Sequence, residues 1–160
     1  MMGDPKLKGV FDERIASLPP DKNCWLQGLN GSALSFFLRS LLIKKGGPLL
    51  LIASDKEKAA YFLNDLQVLL KGETKALFFP ETYRQPYQVE KTTNANIQER
   101  AEVLSILSNE SFSGVVVTYP QALCEKVTLK KQLTGNTLQV RKGEKLSVDF
   151  LSEFLLNYRF

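Results

Sequence analysis

The chain has 160 residues, of which 44% are hydrophobic and 24% charged, and its formal net charge is +4 at pH 7. These proportions are typical of a globular protein that is long enough to bury a core without disulfides or metal ions. The chain contains no histidine, which excludes Ser-His-Asp and Cys-His catalysis as well as zinc sites built on histidine.

The N-terminal residues include no apolar stretch as long as a signal peptide, and no segment approaches the roughly 20 apolar residues of a membrane span. Cys24 and Cys124 form no CxxC pair and lie in apolar segments. Isolated cysteines favour a reducing compartment and a role as small buried hydrophobic residues, with a disulfide between them as the alternative. We therefore expect a cytoplasmic protein that makes no membrane contact.

Four short apolar runs predict strands that are covered on both faces, as the strands of a parallel sheet are. They are residues 24–29 (CWLQGL), 48–53 (PLLLIA), 76–79 (ALFF) and 114–118 (GVVVT).

Longer amphipathic stretches separate these runs and predict helices. A first helix over residues 7–18 ends at Pro19-Pro20, and a second covers residues 32–44. A third covers residues 55–70, with Ser54 or Asp55 as its N-cap and Gly72 at its end. A fourth begins at Asn94 or Asn96 and runs to Leu107, with Ile97, Ala101 and Leu104 predicted to face inward.

Strands that alternate with helices imply right-handed crossovers and a parallel α/β fold. After residue 127 the chain becomes polar and the pattern changes. A short strand over residues 138–140, a turn at 142–145 and a helix over 148–156 capped by Ser147 follow. We assign residues 1–135 to a first domain and residues 136–160 to the truncated start of a second, small α+β subdomain.

The segment between the first predicted strand and its helix has the position of a phosphate-binding loop, whose pattern is GxxxxGK[ST]. Gly28 and Ser35 fall in register with that pattern, but Ala33 replaces its second glycine and Leu34 its lysine. Without the lysine the main side-chain contact to the β- and γ-phosphates is lost. The alternative is a glycine-rich turn of the kind that is common in α/β folds. The candidate loop residues are Gly28, Asn30, Gly31, Ser32, Ala33, Leu34 and Ser35.

A second segment makes the pattern more specific. Residues 78–87 (FFPETYRQPY) are followed by Glu90-Lys91, by residues 96–100 (NIQER) and by residues 114–118. Taken with the loop, this order resembles the N-terminal, UvrB-like module of bacterial transcription-repair coupling factors, the Mfd family, over roughly residues 20–160. It departs from UvrB itself at Leu34. It also leaves no room between Pro86 and Glu90 for the DNA-inserting hairpin of UvrB.

The resemblance implies a degenerate, helicase-type phosphate-loop NTPase domain that has no catalytic residues, cofactor or metal of its own. It implies a role in transcription-coupled nucleotide excision repair through recruitment of UvrA, mostly by residues beyond Phe160, and through autoregulation. ATP and Mg²⁺ would then serve the motor of the full-length protein, and RNA polymerase and DNA would bind to its other domains.

Individual side chains carry further expectations. Trp25, Phe36 and Phe37 are interpreted as core residues. Tyr83 and Tyr87 suit loop packing more than base stacking. The charges of Arg141 and Lys142 are candidates for contact with an acidic partner.

Two alternative functions remain open at this stage. One is an ATP-dependent helicase fragment whose catalytic partner domain is missing. The other is a DNA-binding module that uses the basic surface, whose affinity would fall steeply with salt.

Overall fold

In a computed structural model of the chain, the structure describes residues 5–19, 22–72, 74–82, 93–108, 112–127, 138, 140, 142–143 and 145–157. The chain divides into two compact units, Met1–Val127 and Thr128–Phe160. The first unit contains the sheet and most of the helices, and it holds the candidate loop.

The sheet of the first unit has three parallel strands in the order β1-β3-β2. The strands are β1 (Pro48–Ile52), β2 (Lys75–Phe78) and β3 (Gly114–Thr118). All five residues of β3 are buried, which fits a central strand that is paired on both sides and covered on both faces. The expectation of an α/β fold with a parallel sheet is confirmed.

The strand predicted over residues 24–29 is wrong. Residues 22–32 belong to no helix or strand, and the side chain of Trp25 is 86% exposed rather than part of the core. A short apolar run does not by itself define a strand, because strand formation depends on pairing with a segment that is distant along the chain, which periodicity does not reveal.

Six helices surround or follow the sheet in the described residues. Their bounds are α1 (Pro5–Ala16), α2 (Ala33–Lys45), α3 (Lys56–Leu70), α4 (Thr93–Ser108), α5 (Pro120–Cys124) and α6 (Val148–Asn157).

The ends of α3 follow from its sequence. The predicted N-cap is confirmed, because Asp55 accepts a hydrogen bond from the Lys58 backbone N–H at 2.8 Å. That bond lowers the pKa of the Asp55 carboxyl, with help from the Ser54 hydroxyl. At the other end Lys71 takes a left-handed conformation with φ of 50°, one residue before the predicted terminator Gly72.

The core of the first unit lies between the sheet and its helices. Its buried members include Leu42, Ala59, Leu66, Leu70, Val103, Val115, Val117 and Tyr119. α1 packs on α2 through the edge-to-face contact of Phe11 with Phe37, and Ile15 is almost completely buried. The predicted N-terminal helix therefore lies against the core, as expected.

The predicted inward face of α4 is wrong for Ile97 and Ala101, which are exposed, and correct for Leu104, which packs against the core. Arg100 and Val103 are buried on this helix. The inward-facing side of α4 was assigned incorrectly because the charged residue Arg100 was expected to face solvent. Cys24 and Cys124 are also free and exposed rather than buried. Both cysteines lie outside the packed part of the sheet, so apolar neighbours in sequence did not bury them.

In the second unit, α6 begins after Ser147, as predicted. The Ser147 carbonyl accepts a hydrogen bond from the Leu151 N–H at 3.1 Å, and its hydroxyl lies 3.5 Å from the Phe150 nitrogen. Leu138 and Val140 are described and belong to no strand, while Gln139 lies outside the described residues. A turn at residues 142–143 agrees with the predicted turn.

The backbone of β3 lies close to that of β2 at Gly114. A Cβ atom at this position would lie 2.4 Å from the carbonyl oxygen of Lys75 and 2.8 Å from the ring of Phe112. We expect Gly114→Ala to destabilise the chain by about 1–3 kcal/mol through forced separation of β2 from β3. Urea unfolding measures the change. Ser113→Ala, at an exposed neighbour, is the control and should leave the unfolding midpoint unchanged.

Candidate functional site

The candidate loop lies at the carboxyl edge of the sheet. β1 ends at Ile52 and α3 starts at Lys56, so the N-terminus of α3 is at this edge. α2 runs parallel to α3, because Ser35 bonds to Asp65 and Arg39 bonds to the Leu69 carbonyl. The loop that precedes α2 therefore reaches the same edge, which is where open α/β sheets bind ligands.

The backbone of the loop turns sharply at two glycines. Gly28 and Gly31 have φ values of 81° and 56°, in the left-handed region that glycine adopts without strain. Residues 5–19 and 22–27, the described part of the chain before the loop, contain no strand, and α2 begins at Ala33. The strand-loop-helix frame that a phosphate-binding loop needs is therefore incomplete at its first element.

Ser35 does not have the environment of a metal-binding hydroxyl. Its side chain is fully buried, and its Oγ donates to the Asp65 Oδ2 at 3.3 Å in the interface of α2 and α3. In a working phosphate loop the corresponding hydroxyl faces the nucleotide and binds Mg²⁺. Here the hydroxyl is directed into a helix interface.

The other loop residues make contacts within the fold. The Ser32 hydroxyl pairs with the Tyr61 hydroxyl at 2.7 Å and does not cap α2. The Ala33 N–H donates to the Asn30 carbonyl at 3.2 Å, which removes one of the free donors that a helix N-terminus offers to an anion. Leu34 is half-buried and brings no charge. The hydroxyls of Ser32 and Ser35 therefore make contacts between α2 and α3.

A second polar cluster at the same edge is centred on Arg100 of α4. Its Nη1 donates to the Pro80 carbonyl at 2.7 Å and to the Ala122 carbonyl at 3.0 Å, and lies 3.5 Å from Glu125. Its guanidinium also lies over the Phe79 ring, 4.0 Å from the ring centroid. One buried side chain thus joins α4 to the segments that follow β2 and β3.

The segment after β2 is held from several sides. Glu125 accepts hydrogen bonds from the backbone N–H and the hydroxyl of Thr82, both at 2.8 Å. The Tyr119 hydroxyl accepts from the Glu81 N–H at 3.1 Å, and Asn96 donates to the Glu81 carbonyl at 2.9 Å. Burial raises the pKa of the Tyr119 hydroxyl. These contacts fix Glu81 and Thr82, which belong to the described part of the 78–87 motif.

The sequence contained one signal for this cluster. Arg100 belongs to the NIQER motif, but its role was not predicted because an arginine within a helix is normally interpreted as exposed. In α4 the half-buried Asn96 and the buried Arg100 and Val103 are spaced four and three residues apart. They therefore lie on one face of the helix, the face that is turned toward the rest of the first unit.

The remaining predicted residues lie apart from the loop or outside the described residues. Phe37 is buried as predicted, whereas Phe36 is 36% exposed. Lys142 is exposed in a turn of the second unit. Tyr83, Tyr87 and Arg141 fall outside the described residues.

Within the described part of the chain, no three histidine, cysteine, aspartate or glutamate side chains form a group that could hold a metal ion. No helix in that part has both the length and the apolar character needed to cross a membrane. In comparisons with known proteins, no family model, curated protein or solved structure matches this chain.

We expect Arg100→Met to destabilise the chain by about 3 kcal/mol, because it leaves Glu125 partly buried without its cation and two carbonyls without a donor. Urea unfolding measures the loss. Lys58→Met is the control, since Lys58 pairs with Asp55 in solvent, and it should not shift the midpoint. Equal effects of the two variants would contradict the structural role of Arg100.

Placing a lysine at position 34 should not create a nucleotide site. In a Leu34→Lys variant the hydroxyl of Ser35 still bonds to Asp65, and residues 22–27, just before the loop, still form no strand. We expect no saturable heat on calorimetric titration of this variant with ATP and Mg²⁺. Tight binding by the variant would mean that the lysine alone separates this loop from a working one.

Proposed function

We propose that the chain is a non-catalytic recognition module on a degenerate, helicase-type phosphate-loop NTPase scaffold. The observation that carries this proposal is the state of the loop. Leu34 stands in the position of the lysine, and the Ser35 hydroxyl is buried against Asp65 at 3.3 Å. A loop that lacks its phosphate-binding charge and directs its hydroxyl inward supports a scaffold retained for binding rather than for hydrolysis.

The order of the sequence motifs supports a more specific role. It resembles the UvrB-like module of transcription-repair coupling factors, and we assign the chain to transcription-coupled nucleotide excision repair in the cytoplasm. Its partner in this proposal is UvrA, contacted in part by the second unit. ATP and Mg²⁺ belong to the motor of the full-length protein, which lies beyond these residues together with the sites for RNA polymerase and DNA.

Calorimetric titration of the 160-residue chain with ATP and Mg²⁺, and separately with UvrA, tests the proposal. We expect no heat with ATP and saturable binding of UvrA. Clear ATP binding, or hydrolysis that is abolished by Ser35→Ala, would favour the helicase fragment instead. Tight DNA binding that weakens steeply with added salt would favour the DNA-binding module.

The basic turn of the second unit provides a sharper test of the UvrA contact. We expect the double variant Arg141→Glu, Lys142→Glu to weaken UvrA binding about tenfold, because the two reversed charges would repel an acidic partner surface. Lys126→Glu, an exposed lysine of the first unit, is the matched control and should bind as the unchanged chain does. Equal affinities of all three proteins would remove the turn from the contact.

A further inference from the structure

One asparagine of the candidate loop is followed directly by glycine, at Asn30-Gly31, and the sequence contains this dipeptide once. The side-chain carbonyl carbon of an asparagine can be attacked by the backbone nitrogen of the next residue, which closes a five-membered ring. A side chain on that next residue hinders the attack, and glycine has none. The loop therefore contains the position of the chain at which this reaction meets the least steric hindrance.

The structure holds this dipeptide in a tight turn. The Ala33 N–H donates to the Asn30 carbonyl at 3.2 Å, and Gly31 and Ser32 have φ values of 56° and −72°. A positive φ followed by a negative one, closed by a hydrogen bond from the fourth residue to the first, is the pattern of a type II′ turn. The N–H of Gly31 takes no part in the hydrogen bond that closes this turn.

The groups that would react are open to solvent. Asn30 and Gly31 are both exposed, and a Cβ atom placed on Gly31 would meet nothing within 4 Å beyond its chain neighbours. Among the described residues, none makes a hydrogen bond to the Gly31 N–H or to the Asn30 side-chain amide. Water and hydroxide therefore reach both groups, and no protein hydrogen bond has to break before they react.

Two other asparagines of the described residues lack this combination. Asn64 is also exposed, but it lies within α3 and precedes Asp65. Inside a helix the N–H of the next residue is bonded to the carbonyl four residues before it. The Asn96 side chain donates to the Glu81 carbonyl at 2.9 Å and is half-buried. Asn64 and Asn96 are therefore internal references for Asn30.

We propose that Asn30 is a site of spontaneous deamidation, a modification that gives the loop a negative charge. The Gly31 nitrogen loses its proton to hydroxide and forms a bond to the Asn30 Cγ. The side-chain nitrogen takes a proton from water and leaves as ammonia, which regenerates hydroxide. Water then opens the resulting succinimide at one of its two carbonyl carbons. The products are aspartate and isoaspartate at position 30, each with one carboxylate.

The modification changes both the charge and the backbone of the loop. Residues 28–35 contain no charged side chain, so the new carboxylate is the first charge in the loop. It repels phosphate groups, and the N-terminus of α2 stabilises it. In isoaspartate the chain continues through Cγ, which lengthens the backbone by one carbon and disrupts the turn that the Ala33 N–H closes. The inference does not depend on the recognition role proposed above.

The test incubates the full 160-residue chain at neutral pH and physiological temperature, beside an unstructured peptide with the sequence of residues 28–35. Mass spectrometry after digestion at acidic pH, with fragmentation that separates aspartate from isoaspartate, follows each asparagine. We expect Asn30 of the folded chain to convert within about tenfold of the rate in the peptide, because one protecting hydrogen bond would slow the reaction by about that factor. Asn64 and Asn96 should stay unchanged over the same period.

A variant and a change of pH identify the reaction. Asn30→Gln should abolish the conversion at position 30, because glutamine would have to close a less favourable six-membered ring. Circular dichroism melting checks that this variant keeps the fold, which the exposure of Asn30 leads us to expect. In the unchanged chain the rate should rise with pH, because the Gly31 nitrogen must lose a proton before it attacks.

Three results would overturn the proposal. The first is an Asn30 that stays intact in the folded chain while the peptide converts, which would show that the turn protects it. The second is conversion of Asn64 or Asn96 as fast as that of Asn30. The third is a rate that does not rise with pH. ATP and UvrA take no part in these measurements, so their outcome is separate from that of the binding experiments.

Discussion

β3 lies buried between two parallel partners, and the other elements of the first unit take their positions from that arrangement. All five of its residues are inaccessible to solvent. Its first residue, Gly114, lets the backbone approach the Lys75 carbonyl more closely than any side chain would allow. Parallel pairing requires crossovers between strands, so the helices that connect β1, β2 and β3 must pack back on the sheet. Their N-termini, and with them the polar groups of the fold, are brought to its carboxyl edge.

Two polar clusters of the first unit make contacts that join its helices and loops to one another. Ser35 and Asp65 join α2 to α3, and Arg100 and Glu125 join α4 to the segments that follow the strands. In each case a side chain of a kind that elsewhere binds phosphate or metal makes its contacts inside the protein. The carboxyl edge, which in related architectures is a ligand site, is here stabilised by internal pairing.

Local signals were interpreted correctly where the chain itself contains the reason for the structure. Asp55 caps α3 because its carboxylate reaches a backbone N–H three residues ahead, and Ser147 stands at the start of α6 in the same way. The nearly continuous apolar run of β3 predicted a buried strand, and its one polar residue, Thr118, is buried with its hydroxyl donating to the Phe79 carbonyl. That position 34 holds an uncharged leucine was likewise evident from the sequence.

The sequence by itself determined the alternation of strands and helices and the helix caps, because each depends on residues that are close along the chain. Tertiary structure decided three other matters. Residues 24–29 do not join the sheet, since strand pairing depends on hydrogen-bond partners that are distant along the chain. Arg100 turns inward because carbonyls from two separate segments and Glu125 converge on it. The Ser35 hydroxyl faces Asp65 because α2 and α3 pack side by side. Each of these outcomes depends on a partner distant in sequence, which no local pattern specifies.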